Sequence, residues 1–170
     1  GPQTLERFIT EIPSNIPCPI LIVQHMPPVF TKSLAQRLDR LSNMKVVEAK
    51  NGEEVKPGVA YIAPGDFHMM LKRRKEGAVV KEYISLNQDE KEEAVRPCAN
   101  ILFRSVAPLY EDNTIGVILT GMGYDGTAGA REIKKIAKEK YDISLKHIKR
   151  RDILCYEIER RVNESASFSN

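Results

Sequence analysis

Tryptophan is absent from this sequence, and cysteine and histidine occur three times each. Cys18, Cys98 and Cys155 are odd in number and far apart. That excludes a disulfide framework and any paired-cysteine zinc site, and it fits a reducing, cytoplasmic compartment. His25, His68 and His147 show no metal-ligand spacing, so the chain requires no metal, and no other cofactor is read from it. No apolar run approaches the ~18 residues of a membrane span, and no signal-peptide pattern opens the sequence. The net charge is only +3, too small to imply a nucleic-acid partner. Most of the basic excess lies in roughly the last forty residues, where a charged run reads as a solvated helix face. Internal repeats and low-complexity segments are also missing.

What is present fits one soluble, globular domain. The chain has 170 residues, 42% hydrophobic and 29% charged, enough to bury a sizeable core. Leu5, Phe8, Ile9 and Ile12 share one helical face, with Pro2 near its start and Pro13 after its end. Residues 19–24 form a continuous apolar run, as a strand buried on both faces would. Leu34, Ala35, Leu38 and Leu41 mark a second helix, for which Thr31 is a plausible N-cap. "MKVVEA" at 44–49 reads as a short strand. "GVAYIAPGDFHMML" at 58–71 reads as a hairpin turning at Pro64-Gly65-Asp66. "AVVKEYI" at 78–84 is a further strand. Residues 97–110 read as a helix with Ile101, Leu102, Val106 and Leu109 inward. "TIGVILT" at 114–120 is the second fully apolar strand, and a helix follows from about Gly126. Strands alternating with helices imply an α/β sandwich around a mostly parallel sheet.

Sites in open α/β sheets form beyond the carboxyl ends of strands. One apolar strand here runs into Gln24-His25. Another runs into "GMGYDG", residues 121–126, which carries Asp125. A histidine and a carboxylate at neighbouring strand ends can form the base–orienter half of a hydrolase triad. "GMGYDG" also has the G-x-G-x-x-G spacing of a dinucleotide-binding turn, with Asp142 about twenty residues beyond Gly121 as a ribose-binding acid. Its drawback is that the intervening "IKKIAKEKYD" is basic and holds no second apolar strand. Each signal alone has a bland reading, a structural histidine or a turn aspartate.

"PILIVQHMPPVFTKSLAQRL", "GVAYIAPGDFHMML", "RPCANILFRSVA" and "GVILTGMGYDGTAGA" occur in this order. In that order they resemble the CheB-type protein-glutamate methylesterases of bacterial chemotaxis, over roughly residues 1–133. The resemblance implies a doubly wound, mostly parallel α/β/α sandwich with a β-hairpin and a Ser-His-Asp mechanism. It places the triad histidine on His25, the triad aspartate on Asp125, and a residue lining the site and its oxyanion pocket on Met122. It implies hydrolysis of glutamate methyl esters on methyl-accepting chemotaxis receptors, with glutamine deamidation in some members. A phosphorylatable receiver domain often precedes such a domain. On this reading residues 1–139 are the catalytic domain and residues 140–170 an atypical basic tail.

The sequence departs from that pattern at both ends. The family serine stands in a G-x-S-T-G-G-P segment after the first strand, whereas this sequence opens "GPQTL". The chain is therefore expected to start just past the serine, to lack the strand presenting it, and to be inactive as given. Ser14 and Ser33 occupy no strand-to-helix elbow. A non-catalytic remnant or binding module of the same fold is the alternative. The tail has no glycine after Gly129 and no Met-Pro. It suits either a reading-frame shift or a lineage-specific extension, with Ile153, Tyr156, Ile158 and Val162 at helical spacing. Cys98 and Asn100 stand where the family usually has serine and aspartate. Both are read as capping, with Cys98 unsuited as a nucleophile. Cys18 is read as packed core and His68 as a packing residue outside the catalytic set.

Overall fold

The computed structural model describes residues 2–119, 123–141, 144–150 and 153–159. The first helix, α1 (Pro2–Thr10), leads to a short strand, β1 (Ile20–Ile22), and then to α2 (Phe30–Leu41). Two more strands follow, β2 (Lys45–Glu48) and β3 (Val59–Ile62). β3 lies between β1 and β2 and pairs with both in parallel, so that Ile20 faces Ala60 and Val46 faces Ala60 from the other side. Parallel neighbours need a long crossover: α2 carries the chain from β1 to β2, and the non-helical stretch 49–58 carries it from β2 to β3.

Side chains alternate across a strand, and here both faces are apolar. Ile22, Val46, Ala60 and Ile62 point to one side and bury Leu5 and Ile9 of α1 with Leu34, Ala35 and Leu38 of α2. Tyr61 and Ala63 point to the other side, where Met69, Leu71, Ile84 and Leu102 close a second core. Helices on one face and a helix with a hairpin on the other make the three-layer open α/β sandwich that the sequence implies. The hairpin is β4 (His68–Glu76) with β5 (Val79–Asn87), and the helix is α3 (Ala99–Tyr110).

Four sequence expectations are corrected. Residues 58–71 are not a hairpin: Val59–Ile62 is apolar on both faces and belongs in the parallel sheet, so Pro64-Gly65-Asp66 turns the chain out of it. The actual hairpin turns at Gly77, whose positive φ of 62° suits a residue without a Cβ. Thr31 is not an N-cap, because α2 begins a residue earlier; its buried hydroxyl donates to Glu48 Oε1 at 2.6 Å and accepts from the Gly65 amide at 3.0 Å. Cys18 is exposed rather than packed, since it precedes the strand in an open turn.

The fourth correction concerns the tail. After α4 (Thr127–Tyr141) come β7 (Ser144–Arg150) and β8 (Ile153–Glu159), paired antiparallel, where helical spacing was expected. Ile153, Tyr156 and Ile158 lie on β8, and Val162 lies outside the described residues. β8 also pairs antiparallel with β6 (Val117–Leu119), with Val117 opposite Cys155. Lys146, His147 and Lys149 therefore stand on a strand of a three-stranded sheet ordered β6-β8-β7. Among the described residues β6 is not a hydrogen-bonded neighbour of β1.

Candidate active site

His25 stands in the segment between β1 and α2. Pro27 and Pro28 lie in this segment, beyond the end of β1 at Ile22, and remove two backbone donors. The segment lies directly against the turn after β3. A Cβ on Gly65 would fall 2.4 Å from Pro28 N, 2.6 Å from Pro27 C and 2.7 Å from Met26 O, all main-chain atoms. Only glycine lets the two stretches meet, and that contact fixes the residues immediately after His25.

Asp125 arrives from the opposite end of the chain, two residues before α4 begins. Gly123 and Gly126 bracket it with φ of 96° and 92°, and the Thr127 amide donates to Tyr124 O at 3.1 Å. The approach of α4 to α3 determines where this turn lands. A Cβ on Gly129 would sit 2.6 Å from Phe103 Cβ and 3.0 Å from the Asn100 backbone. The Asn100 side chain adds a hydrogen bond, accepting from the Gly129 amide at 2.8 Å. With the helices in such contact, the Asp125 carboxylate reaches the N-terminus of α3.

Four donors meet the two carboxylate oxygens of Asp125. The Ala99 amide and His25 Nε2 each lie 2.7 Å from Oδ2. The Asn100 amide and the Cys98 thiol each lie 2.9 Å from Oδ1. Cys98 is the residue at the helix N-cap, yet its side chain makes no cap bond; Asp125 caps the helix from a distant part of the sequence. Burial alone pushes the Asp125 carboxyl up. The hydrogen bonds from Cys98, Ala99, Asn100 and His25 together outweigh it and hold the group below the usual carboxylate range. Burial first, and then the neighbouring carboxylate, push the Cys98 thiol up to about 12. Cys98 is therefore a protonated donor.

An ionised carboxylate only accepts, so the His25 nitrogen facing it carries the proton. The neutral ring then presents Nδ1 as a lone pair on its other side. The Asp125 side chain is 5% exposed and that of His25 is 41% exposed, which leaves the ring open to a reactant. A buried carboxylate that fixes the tautomer of a half-exposed imidazole is an arrangement that can serve as a general base with its orienter.

The segment leading into α3 is anchored to the turn beneath the His25 loop. The Arg96 guanidinium donates to Asp66 Oδ1 through Nε at 3.0 Å and Nη2 at 2.7 Å, and through Nη1 to the carbonyls of Gln88 and Asp89. The Arg96 bonds hold the Asp66 carboxyl below its ordinary range. The turn at 64–66 thus touches both halves of the site, through Gly65 to the His25 loop and through Asp66 to Arg96. Nearby, Glu92 pairs with Arg104 of α3, which lowers the Glu92 carboxyl.

The structure brings His25 and Asp125 together. Met122 lies outside the described residues, as do Gly121 and Asp142 of the dinucleotide-binding reading. His68 is fully buried, with Nε2 3.0 Å from the Glu90 carbonyl oxygen. Among the described residues no cluster of His, Cys, Asp and Glu could hold a metal ion, and no helix is long and apolar enough to cross a membrane. No serine hydroxyl among them is bonded to His25: Ser33 donates to the Val29 carbonyl and Ser105 to that of Leu102. Sequence reasoning missed Cys98 and Arg96 as partners of the site. Their hydrogen bonds span 27 and 30 residues, beyond any local pattern.

Comparison with known proteins gives a consistent result. A family model described as CheB methylesterase matches residues 1–139. The chain is similar to a protein-glutamate methylesterase/protein-glutamine glutaminase of Thermotoga maritima, 51% identical over 134 residues, which is 79% of this chain and 38% of that protein. A second relative with that name, numbered 2, from Methanosarcina acetivorans, is 46% identical over 136 residues, 80% of this chain and 38% of its own length. Among solved structures, the Thermotoga maritima CheB methylesterase catalytic domain superposes with a TM-score of 0.76 at 50% identity, covering 81% of this chain and 70% of that one. The chain spans well under half the length of the curated relatives it matches.

Proposed function

This chain belongs to the CheB methylesterase family, and from that premise we propose that it forms the base-bearing part of a protein-glutamate methylesterase catalytic domain, residues 1–139. The reaction is hydrolysis of glutamate methyl esters on chemoreceptors in the cytoplasm, with deamidation of receptor glutamines as a second activity of the same site. The observation that carries the reading is the 2.7 Å bond between His25 Nε2 and Asp125.

Ester hydrolysis needs a nucleophile, a base, and a stabilised oxyanion. A serine hydroxyl is a weak nucleophile until a base takes its proton during attack. His25 Nδ1 takes that proton as the hydroxyl oxygen adds to the ester carbonyl. The resulting imidazolium is stabilised by Asp125, which stays ionised because four donors hold it so. His25 then returns the proton to the departing methoxide, and methanol leaves an acyl-enzyme. Water then adds to the acyl carbon while giving a proton to the same ring, and the ring passes that proton to the serine oxygen as its bond to the acyl group breaks and glutamate is released. For a glutamine side chain the leaving group is ammonia, and the proton steps are identical. By the family resemblance Met122 lines the oxyanion pocket, and a backbone donor in such a pocket is worth ~3 kcal/mol of barrier in comparable sites.

The nucleophile belongs to a Ser-Thr-Gly elbow of the family pattern, which residues 1–170 do not contain. A receiver domain is the natural regulator, and the matched segment leaves a relative such as the Thermotoga maritima protein room for one, being 38% of its length.

Methanol release from methylated receptor tests the reading. Residues 1–170 alone should release none. A chimaera carrying a relative's upstream strand, elbow and C-terminus should release it. In that chimaera His25→Ala should abolish turnover, and Asp125→Asn should lower it by roughly three to four orders of magnitude. Turnover by residues 1–170 that survives both Ser14→Ala and Ser33→Ala would show the nucleophile assignment to be wrong.

A further inference from the structure

We propose that Cys98 is a positioning residue: its thiol, by donating to Asp125, sets how strongly that carboxylate draws on His25. The inference rests on the base–orienter reading of His25 and Asp125 and adds a residue to it.

The geometry carries it. A carboxylate offers about four acceptor positions, and all four on Asp125 are filled. Oδ2 is shared by the Ala99 amide and His25, and Oδ1 by the Asn100 amide and Cys98. Two of these donors are main-chain groups of α3 and come with the helix. His25 is the group being acted upon. Cys98 is the remaining donor, and it is the one whose strength a side-chain choice sets. It is fully buried, so water does not replace it easily when it is removed. Its bond to Oδ1 draws electron density away from Oδ2, the oxygen that holds the imidazole. A weaker donor there leaves Oδ2 more negative and the protonated ring more stable. A stronger donor does the opposite.

A nucleophilic role for this thiol is ruled out by the same contacts. It is buried, protonated and aimed 2.9 Å from a carboxylate. Among the described residues, the other charged groups near the pair stay constant when Cys98 changes. Glu92, in the segment before α3, adds negative charge toward Asp125, and its partner Arg104 on α3 balances it and faces Cys98.

The test uses the 170-residue chain and needs no turnover. The ring signals of His25 are followed by NMR as pH is varied in the parent, Cys98→Ala, Cys98→Ser and Asp125→Asn. Cys98→Val, which leaves no cavity where the thiol stood, is a second donor-free variant in case alanine leaves the chain unfolded. Both donor-free variants should raise the midpoint by about half a pH unit, because a hydrogen bond that satisfies the carboxylate is gone. Cys98→Ser keeps a donor and should restore the parent midpoint or fall slightly below it. Asp125→Asn should lower the midpoint, by about one unit, because the countercharge is removed. Unmoved midpoints in the donor-free variants, with the Asp125→Asn shift present, overturn the role of Cys98. A serine variant that shifts as far upward as alanine also overturns it. If Asp125→Asn leaves the midpoint where it was, the underlying dyad reading fails instead.

Discussion

Cys98 carries a thiol that its surroundings keep from reacting. Thiolate is the reactive form, and a group pushed up to about 12 and sealed in the core supplies almost none at neutral pH. Cys18 lies open in a turn. Iodoacetamide at pH 8 should therefore label Cys18 rapidly and Cys98 only as fast as the chain opens, which peptide mass spectrometry reads directly. Equal labelling of the two would contradict the buried donor geometry. Asp125 makes a prediction about acid. Its folded-state value is depressed, so its stabilisation is fully present above the unfolded value of ~3.9 and is lost as pH falls through the lower folded value. Urea midpoints should fall as pH drops below ~4, and Asp125→Asn should flatten that part of the curve while lowering stability at pH 7. An acid limb equally steep in the variant would assign the loss to other carboxylates, such as Asp39 and Asp66, whose values are also depressed.

Two contacts between elements hold the pair in register, and both depend on a missing Cβ. Gly65 admits the His25 loop onto the turn after β3, and Gly129 admits α4 onto α3. Gly129→Ala should destabilise by ~1–2 kcal/mol despite a helix-propensity gain of ~1 kcal/mol, because Phe103 and the Asn100 backbone must move. Gly65→Ala should cost ~1–3 kcal/mol and shift the His25 ring signals as well, since the displaced atoms belong to the residues that follow His25. A Gly65→Ala chain with parent stability and parent ring signals would show that the turn does not place His25. Elements also show what a local reading can and cannot find. α1 and α2 were legible from their apolar spacing, and β1 from its uninterrupted run. The 58–71 segment was misread because Pro64-Gly65-Asp66 has the chemistry of a tight hairpin turn. The decisive sign was that Val59 to Ile62 is apolar on both faces. The start of α3 was read as self-capped because Cys98 and Asn100 are polar. Its true cap is Asp125, a carboxylate supplied from far along the chain, and short-range pattern carries no trace of such a partner.

Across the whole chain, His25 and Asp125 were legible as a pair because each follows an apolar strand, though the hydrogen bond between them spans 100 residues. The pairing of β6 was not legible. Its partner β8 lies in a stretch rich in charge, whose apolar positions fit a helix as well as a strand. That pairing predicts the effect of shortening the chain. Removing residues 142–170 takes away β7 and β8 and leaves β6 with no partner strand among the described residues. An open apolar edge recruits other copies. The shortened chain should elute as dimers and larger species in light-scattering chromatography where the full chain elutes as a smaller one. A shortened chain of unchanged size and stability would mean that β8 adds nothing to β6. The capping of α3 by Asp125 has one more consequence, in the language of solvent exchange. The amides of Ala99 and Asn100 are bound to the same carboxylate as the imidazole, so they can trade their hydrogens for deuterium only while that carboxylate has let go. Their exchange rates are a clock for how often His25 and Asp125 stand apart, readable in a protein at rest with nothing bound.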